Sequence, residues 1–210
     1  MGKSTCIAAL AAAFASDPTV VVVPEPVDAW RTCGILRRMY DGSATMLEFQ
    51  LVAVSTLAGA LLRAMQGHSI RLVITERSVG GNRTIFARPG LTAECLAAYD
   101  TVYASLMAAL PPRDSYTLYL HAPADVVAQR VASRGRPEEC GLSADFHREL
   151  HERHLAYLAA LDHPHSCVDA AGPASSVAGA VIGVAEALRR GEPPPPGGSA
   201  VARARGEDPD

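Results

Sequence analysis

Met1-Gly2-Lys3-Ser4-Thr5, followed at once by the helix-forming run Cys6-Ile7-Ala8-Ala9-Leu10-Ala11-Ala12-Ala13-Phe14, decides how the rest of the chain is read. The pentapeptide matches the end of the phosphate loop G-x-x-x-x-G-K-[ST], and the strand and first glycine of that pattern fall ahead of residue 1. In such a loop the backbone N–H groups and the helix amino terminus face phosphates. The lysine ammonium reaches the outer phosphates, and the serine hydroxyl suits Mg2+. Gly-Lys-Ser-Thr alone also fits an ordinary amino-terminal helix capped by Ser4 or Thr5, and only the residues beyond Phe14 can decide between the two.

Beyond the loop, the pattern alternates short apolar strands with longer helical stretches. Thr19 to Val23 is a β-branched run that ends in Pro24-Glu25-Pro26, and Ile70 to Thr75 is a second, ending in Glu76-Arg77-Ser78. Tyr116 to His121 and Ser166 to Asp169 are two more. Helical spacing covers 46–66, 92–110, a stretch opened by Pro123, 144–162 and 174–190, with a glycine-containing polar break at 135–143. Near-continuous apolar strands between helices predict an α/β fold, a P-loop NTPase-like parallel sheet flanked by helices on both faces. One domain over 1–190 is expected, and the Pro/Gly-rich and then charged 191–210 reads as a disordered tail.

Composition narrows the function classes. Net charge is −3 over 210 residues, with no general basic footprint for nucleic acid. The five cysteines are scattered without a C-x-x-C, which suggests neither a disulfide framework nor a zinc site and fits a reducing, cytoplasmic setting. No apolar run approaches about 18 residues without a charge or turn residue, so no membrane span is expected. No targeting peptide is visible, although a chain that opens inside a motif leaves room for one upstream.

In open parallel α/β sheets ligands lie at the carboxyl ends of strands, and Glu25 and Glu76 stand at two such ends. Either alone is as easily a solvated turn residue or a cap. Together with their neighbours they carry a resemblance. Glu25-Pro26-Val27-Asp28-Ala29-Trp30-Arg31 resembles the E-P-V-x-x-W signature of the deoxynucleoside kinases, which include cellular thymidine, deoxycytidine and deoxyguanosine kinases and herpesviral thymidine kinases. Phe49-Gln50, Glu76-Arg77-Ser78 and Arg130-x-x-x-Arg134-Gly135-Arg136-Pro137-Glu138-Glu139 come in the same order, and then Glu149 to His154. The similarity spans roughly residues 1–170. Met1 before Gly-Lys is closer to the herpesviral members and E-R-S to the cellular ones, a mixture that suggests a virus-borne relative.

That resemblance implies ATP and Mg2+ as cofactors, a deoxynucleoside as substrate, and a homodimer built through the helices at 46–66 and 92–110. Gly2, Lys3, Ser4 and Thr5 would hold the phosphates, with Ser4 on Mg2+ and Glu76 in its outer shell. Glu25 would be the general base for the 5′-hydroxyl, and Arg77 would bridge Glu25 to the 5′-oxygen or a phosphate. Arg130, Arg134 and Arg136 would form an arginine-rich lid over ATP. A solvated helix face is the plainer account of that run, and the matched blocks on either side favour the lid. Gln50 would read the base edge, Trp30 and Phe86 would pack on the base unless they are plain core, and Tyr40 with Glu139 would hold the sugar 3′-hydroxyl.

Deoxycytidine-preferring members resemble one another in an arginine on the long helix and an aspartate after E-R-S. Leu57 and Asn82 occupy those positions here, which favours a pyrimidine pocket for thymidine and leaves broader specificity open. His147, His151 and His154 share a helix face but interleave with charges, and read as a polar flank rather than a metal site. Two other readings compete: a nucleoside monophosphate (thymidylate) kinase, against which Glu25-Pro26-Val27 counts, and a non-catalytic P-loop-fold protein, suggested by the incomplete loop.

Overall fold

The computed structural model describes residues 2–67, 69–135 and 143–194. The chain divides into two compact units, Met1–Val20 with Asp114–Asp210, and Val21–Arg113.

The first unit starts with the alanine-rich helix α1 (Lys3–Ala13), which turns Cys6, Ile7 and Leu10 inward. Gly2 precedes it at φ +125°, a backbone angle that strains any side chain although a Cβ there would meet nothing within 4 Å. The carboxy-terminal helix α10 (Ala174–Arg190) packs on α1. It buries Val177, Val181, Val184 and Ala185, the i, i+4, i+7, i+8 stripe of a helix that covers a core. Gly191 ends α10 in the left-handed conformation that suits a glycine cap, and Arg189 pairs with Asp17 at 3.1 Å.

Also in this unit, β3 (Thr117–His121) and β4 (His165–Asp169) run parallel, with Thr117 opposite His165 and His121 opposite Asp169. Helices α8 (Ala124–Arg134) and α9 (Ala144–Ala159) lie between them in sequence and pack on each other. Leu158 of α9 and Cys167 of β4 form a small buried cluster with Tyr119 and Leu161. Burial pushes the Tyr119 phenol up to about 12, so it stays uncharged.

The second unit pairs β1 (Val20–Val23) with β2 (Leu72–Thr75). Between them come α2 (Val27–Thr32), α3 (Ile35–Tyr40) and α4 (Met46–Ala64). After β2 the chain makes one turn of α-helix, α5 (Val79–Gly81), a π-helix at Asn82–Ala87, another α-turn, α6 (Arg88–Gly90), and then α7 (Ala93–Ala108). Trp30, Ile35, Ala53, Val54, Leu57 and Tyr99 centre the core of this unit. By length and mean hydropathy α4 could cross a membrane, but its buried Ala53, Val54, Leu57 and Ala58 face the core, and α7 packs against it.

Every strand and long helix expected from periodicity is present within about three residues. Periodicity assigns no element to the segments Val27–Thr32, Ile35–Tyr40 and 79–90, which are helical. Helices of six residues flanked by Pro26, Gly34 and Gly42 are too short to show a 3.6-residue period. The run Val79-Gly80-Gly81 reads as a turn from composition, yet the Ser78 hydroxyl accepts the Gly81 N–H at 2.8 Å and starts a helix there.

A capping box opens α4. The Thr45 hydroxyl accepts the Glu48 N–H at 3.2 Å, and the Glu48 carboxylate accepts the Thr45 N–H at 2.7 Å. Thr45→Ala is expected to lower unfolding free energy by about 1 kcal/mol. Urea titration followed by the fluorescence of Trp30, the single tryptophan, measures it, and an unchanged midpoint would show that the cap contributes nothing.

Candidate active site

The ends of β1 and β2 are laced together by backbone and side chain. The Glu76 N–H donates to the Val23 carbonyl at 3.0 Å, and the Glu25 N–H donates to Glu76 Oε2 at 3.1 Å. This brings the two strand-end acids side by side and carries Arg77 with them. Arg77 Nε stands 2.6 Å from Glu25 Oε1, with the two side chains only 20% and 12% exposed. Burial pushes the Arg77 pKa down while the Glu25 and Glu76 charges push it up. A guanidinium stays protonated through all of this, so the site holds a largely desolvated cation beside two acids. The Phe86 ring lies 4.0 Å from the Arg77 guanidinium carbon, a cation–π contact on its face.

From Arg77 a line of side-chain amides runs into the core. Arg77 Nη1 donates to Asn82 Oδ1 at 3.4 Å. Asn82 Nδ2 donates to Gln50 Oε1 at 3.1 Å. Among the described residues Gln50 Nε2 then faces only the Met46 sulfur at 3.7 Å, a weak acceptor. Asn82 is 1% and Gln50 3% exposed, so these are buried polar groups that must find partners. The fully buried Tyr99 has its hydroxyl beside Asn82, and burial raises its phenol pKa.

The π-helix arranges this. Its wider turn sends Asn82 toward Gln50 on α4, Arg83 toward α7 and Phe86 onto Arg77; such turns are frequent at functional sites. Arg83 grips Asp100 of α7 through two bonds of 2.8 and 2.7 Å and also faces the Tyr103 ring. That fork holds the Asp100 carboxyl below the usual carboxylate range and ties the π-helix to α7.

Trp30 is part of the core. It packs edge-on against Phe49 at 5.6 Å, and its indole N–H donates to the Thr56 hydroxyl at 2.8 Å. Tyr40 stands at the end of α3 and is 46% exposed. In the first unit, Gly2 caps α1 and Lys3, Ser4 and Thr5 form its first turn. Arg130 of α8 donates to the carbonyls of Ala170, Ala171 and Gly172 at 2.5, 3.1 and 3.2 Å, which fastens it to the segment after β4. Arg134 is the last residue of α8. Arg136 and Glu139 lie outside the described residues. His151 faces the Tyr119 hydroxyl at 3.5 Å, and His154 bonds the Leu150 carbonyl at 2.7 Å. Among the described residues no group of three or more His, Cys, Asp or Glu could hold a metal.

Thus Glu25, Glu76, Arg77, Asn82 and Gln50, spread over some sixty residues of sequence, meet in one unit. Arg83, Asp100, Tyr99 and Thr56 were not anticipated as parts of the site, and no local signal marks them. The 17-residue separation of Arg83 from Asp100 gives no period to read, although an arginine beside an asparagine in a glycine-rich turn invites a search for its counter-charge.

A glycine-capped helix that begins Lys-Ser-Thr, with acids at the carboxyl ends of strands, fits an α/β fold of the P-loop NTPase-like kind. The family model for deoxynucleoside kinases matches residues 1–175. The probable deoxycytidine kinase of fowlpox virus (strain NVSL) is 28% identical over 163 residues, covering 75% of this chain and 67% of its own length. The solved deoxyadenosine kinase from M. mycoides, with the products dCMP and a flexible dCDP bound, shares the fold at a TM-score of 0.68. It is 16% identical, over 86% of this chain and 91% of that one. The chain belongs to the deoxynucleoside kinase family.

Removing one partner of the Glu25–Arg77 pair leaves a largely desolvated charge alone. Arg77→Met is expected to destabilise by about 3–5 kcal/mol, and adding Glu25→Gln to recover most of that loss. Urea unfolding of the two single variants and the double variant measures the coupling; strictly additive losses would mean that the two charges do not interact.

Proposed function

We propose that this kinase transfers the γ-phosphoryl group of ATP to the 5′-hydroxyl of thymidine. Glu25 accepts the hydroxyl proton as the new O–P bond forms and the bond to the ADP oxygen breaks. Arg77 holds Glu25 aimed, and offers charge to the 5′-oxygen or a phosphate. Gly2, Lys3, Ser4 and Thr5 are the phosphate-binding residues, and Arg130, Arg134 and Arg136 the arginines that attend the donor. Ser4 and Glu76 carry the hard oxygen donors that Mg2+ takes, and when bound the ion would neutralise phosphate charge. Gln50 and Asn82 read the base, Trp30 supports the pocket wall through Phe49, and Tyr40 with Glu139 holds the sugar. A homodimer through α4 and α7 and a cytoplasmic location belong to the same reading.

The observation that carries the kinase chemistry is the largely desolvated Glu25–Arg77 pair 2.6 Å apart at the strand ends. Support for thymidine is that neutral residues stand at both positions: Leu57 is buried in the core, and Asn82 is an amide that donates to Gln50. The names of the relatives favour a second reading, deoxycytidine or deoxyadenosine as the substrate.

Label transfer from γ-labelled ATP to the four deoxynucleosides and to thymidine monophosphate separates these readings. Thymidine is expected to be the best acceptor, and phosphorylation of the monophosphate alone would overturn the assignment. Glu25→Gln should bind thymidine but turn over at least about 100-fold slower; unchanged turnover would remove Glu25 from the chemistry. Gln50→Ala should weaken nucleoside binding and spare ATP binding, and an equal loss of both would remove Gln50 from base reading.

A further inference from the structure

Arg77, Asn82 and Gln50 form a chain whose direction is fixed at one end. A guanidinium has donors and no acceptor, so the Asn82 side chain must turn its oxygen to Arg77. Its NH2 group then points the other way, onto Gln50 Oε1 at 3.1 Å. Gln50 in turn has its oxygen engaged, and among the described residues its NH2 meets only the thioether of Met46, at 3.7 Å. Arg77 is itself held, by Glu25 on one side and by the Phe86 ring 4.0 Å from its guanidinium carbon on another, so it cannot swing away and let the amides reverse.

We infer that Arg77, acting through Asn82, locks the amide of Gln50 with its donor end presented to the nucleoside, and so selects a base that offers a carbonyl oxygen at position 4 over one that offers an amino group there. An exocyclic amino group would set donor against donor at a buried amide, and neither could turn to water. A 4-oxo pyrimidine gives the Gln50 NH2 the acceptor it lacks, while the second lone pair of Gln50 Oε1 remains for the adjacent ring N3–H. This deepens the thymidine reading, on which it rests. It makes Arg77 a positioning residue for base choice as well as the partner of Glu25, and makes Asn82 the link between the two.

The test needs a pair of substrates of equal size that differ only on this edge, and thymidine and 5-methyl-2′-deoxycytidine are such a pair. For the wild-type chain, kcat/KM for thymidine should exceed that for 5-methyldeoxycytidine by about 10- to 100-fold, the scale of one mispaired bidentate contact. An equal or reversed ratio would overturn the inference. Asn82→Asp accepts from Arg77 and from Gln50 Nε2 together, so it should reverse the amide and turn the preference toward 5-methyldeoxycytidine. Asn82→Ala should release the amide and bring the ratio near one. A loss shared equally by both nucleosides in these variants would mean that Asn82 is only structural, and would overturn the inference. If a variant does not fold, the wild-type ratio alone still decides. If the chain phosphorylates neither nucleoside, the kinase reading fails by itself. The ratio of the two dissociation constants, read from Trp30 fluorescence, then judges the amide lock separately: tighter thymidine supports it, and equal or tighter 5-methyldeoxycytidine sinks it.

Discussion

Two opposite charges 2.6 Å apart, largely withdrawn from water, close the carboxyl ends of β1 and β2, and the second unit is arranged around them. Such a pair is a poor way to hold strands together, because the cost of removing both charges from water consumes most of their attraction and an apolar pair of similar size would serve stability as well or better. What the charges do provide is a carboxylate that cannot turn away from its cation and a cation that cannot leave its carboxylate. The bond from the Glu25 N–H to Glu76 Oε2 adds a second tie at the same corner, so the position of Glu25 is fixed through both main chain and side chain. A side chain that must meet a ligand at hydrogen-bond distance depends on such fixity.

Arg77 serves several neighbours at once, and this shapes the elements around it. It needs an aromatic face, which Phe86 gives, and an amide oxygen, which Asn82 gives. Both come from the π-helix at Asn82–Ala87, where one extra residue in the turn changes which side chains share a face. A π-turn is less favourable than an α-turn of the same length, so something must hold it. The two-bond contact of Arg83 with Asp100 is the strongest candidate, since it joins the turn to α7, a long helix packed on α4. The chain thus fixes the irregular segment that carries the site against its most regular elements.

Much of this was legible in the sequence, and the limits have physical causes. The β-branched runs and long helices announce themselves because their periodicity extends over many residues. Glu25, Glu76 and Arg77 could be placed because a residue just after a strand in an α/β chain has few positions available, and Gln50 because an amide within an apolar stretch asks for a buried partner. The partner itself, Asn82, lies 32 residues away, and nothing local says that the two meet. Short helices flanked by proline and glycine escaped for the same reason: their stability comes from the core that Trp30, Ile35 and Val79 fill, which exists only after folding. Arg130 shows the opposite limit. Its spacing from Arg134 was visible, but its three carbonyl acceptors after β4 belong to a segment some forty residues on.

Base choice and family membership draw on different parts of the molecule. Family likeness accumulates over strands, helices and the phosphate loop, so it survives at low identity and carries the fold. The proposed base choice depends on which end of one buried amide faces the ligand, and a single neighbour that donates or accepts can reverse that amide with no change in the fold. Asparagine at position 82 is the informative residue for this reason. It can both accept from an arginine and donate to a glutamine, whereas an aspartate could only accept and an alanine could do neither. The neutral amide therefore links Arg77 to Gln50, and the same cation that pairs with Glu25 also orders the amides behind it.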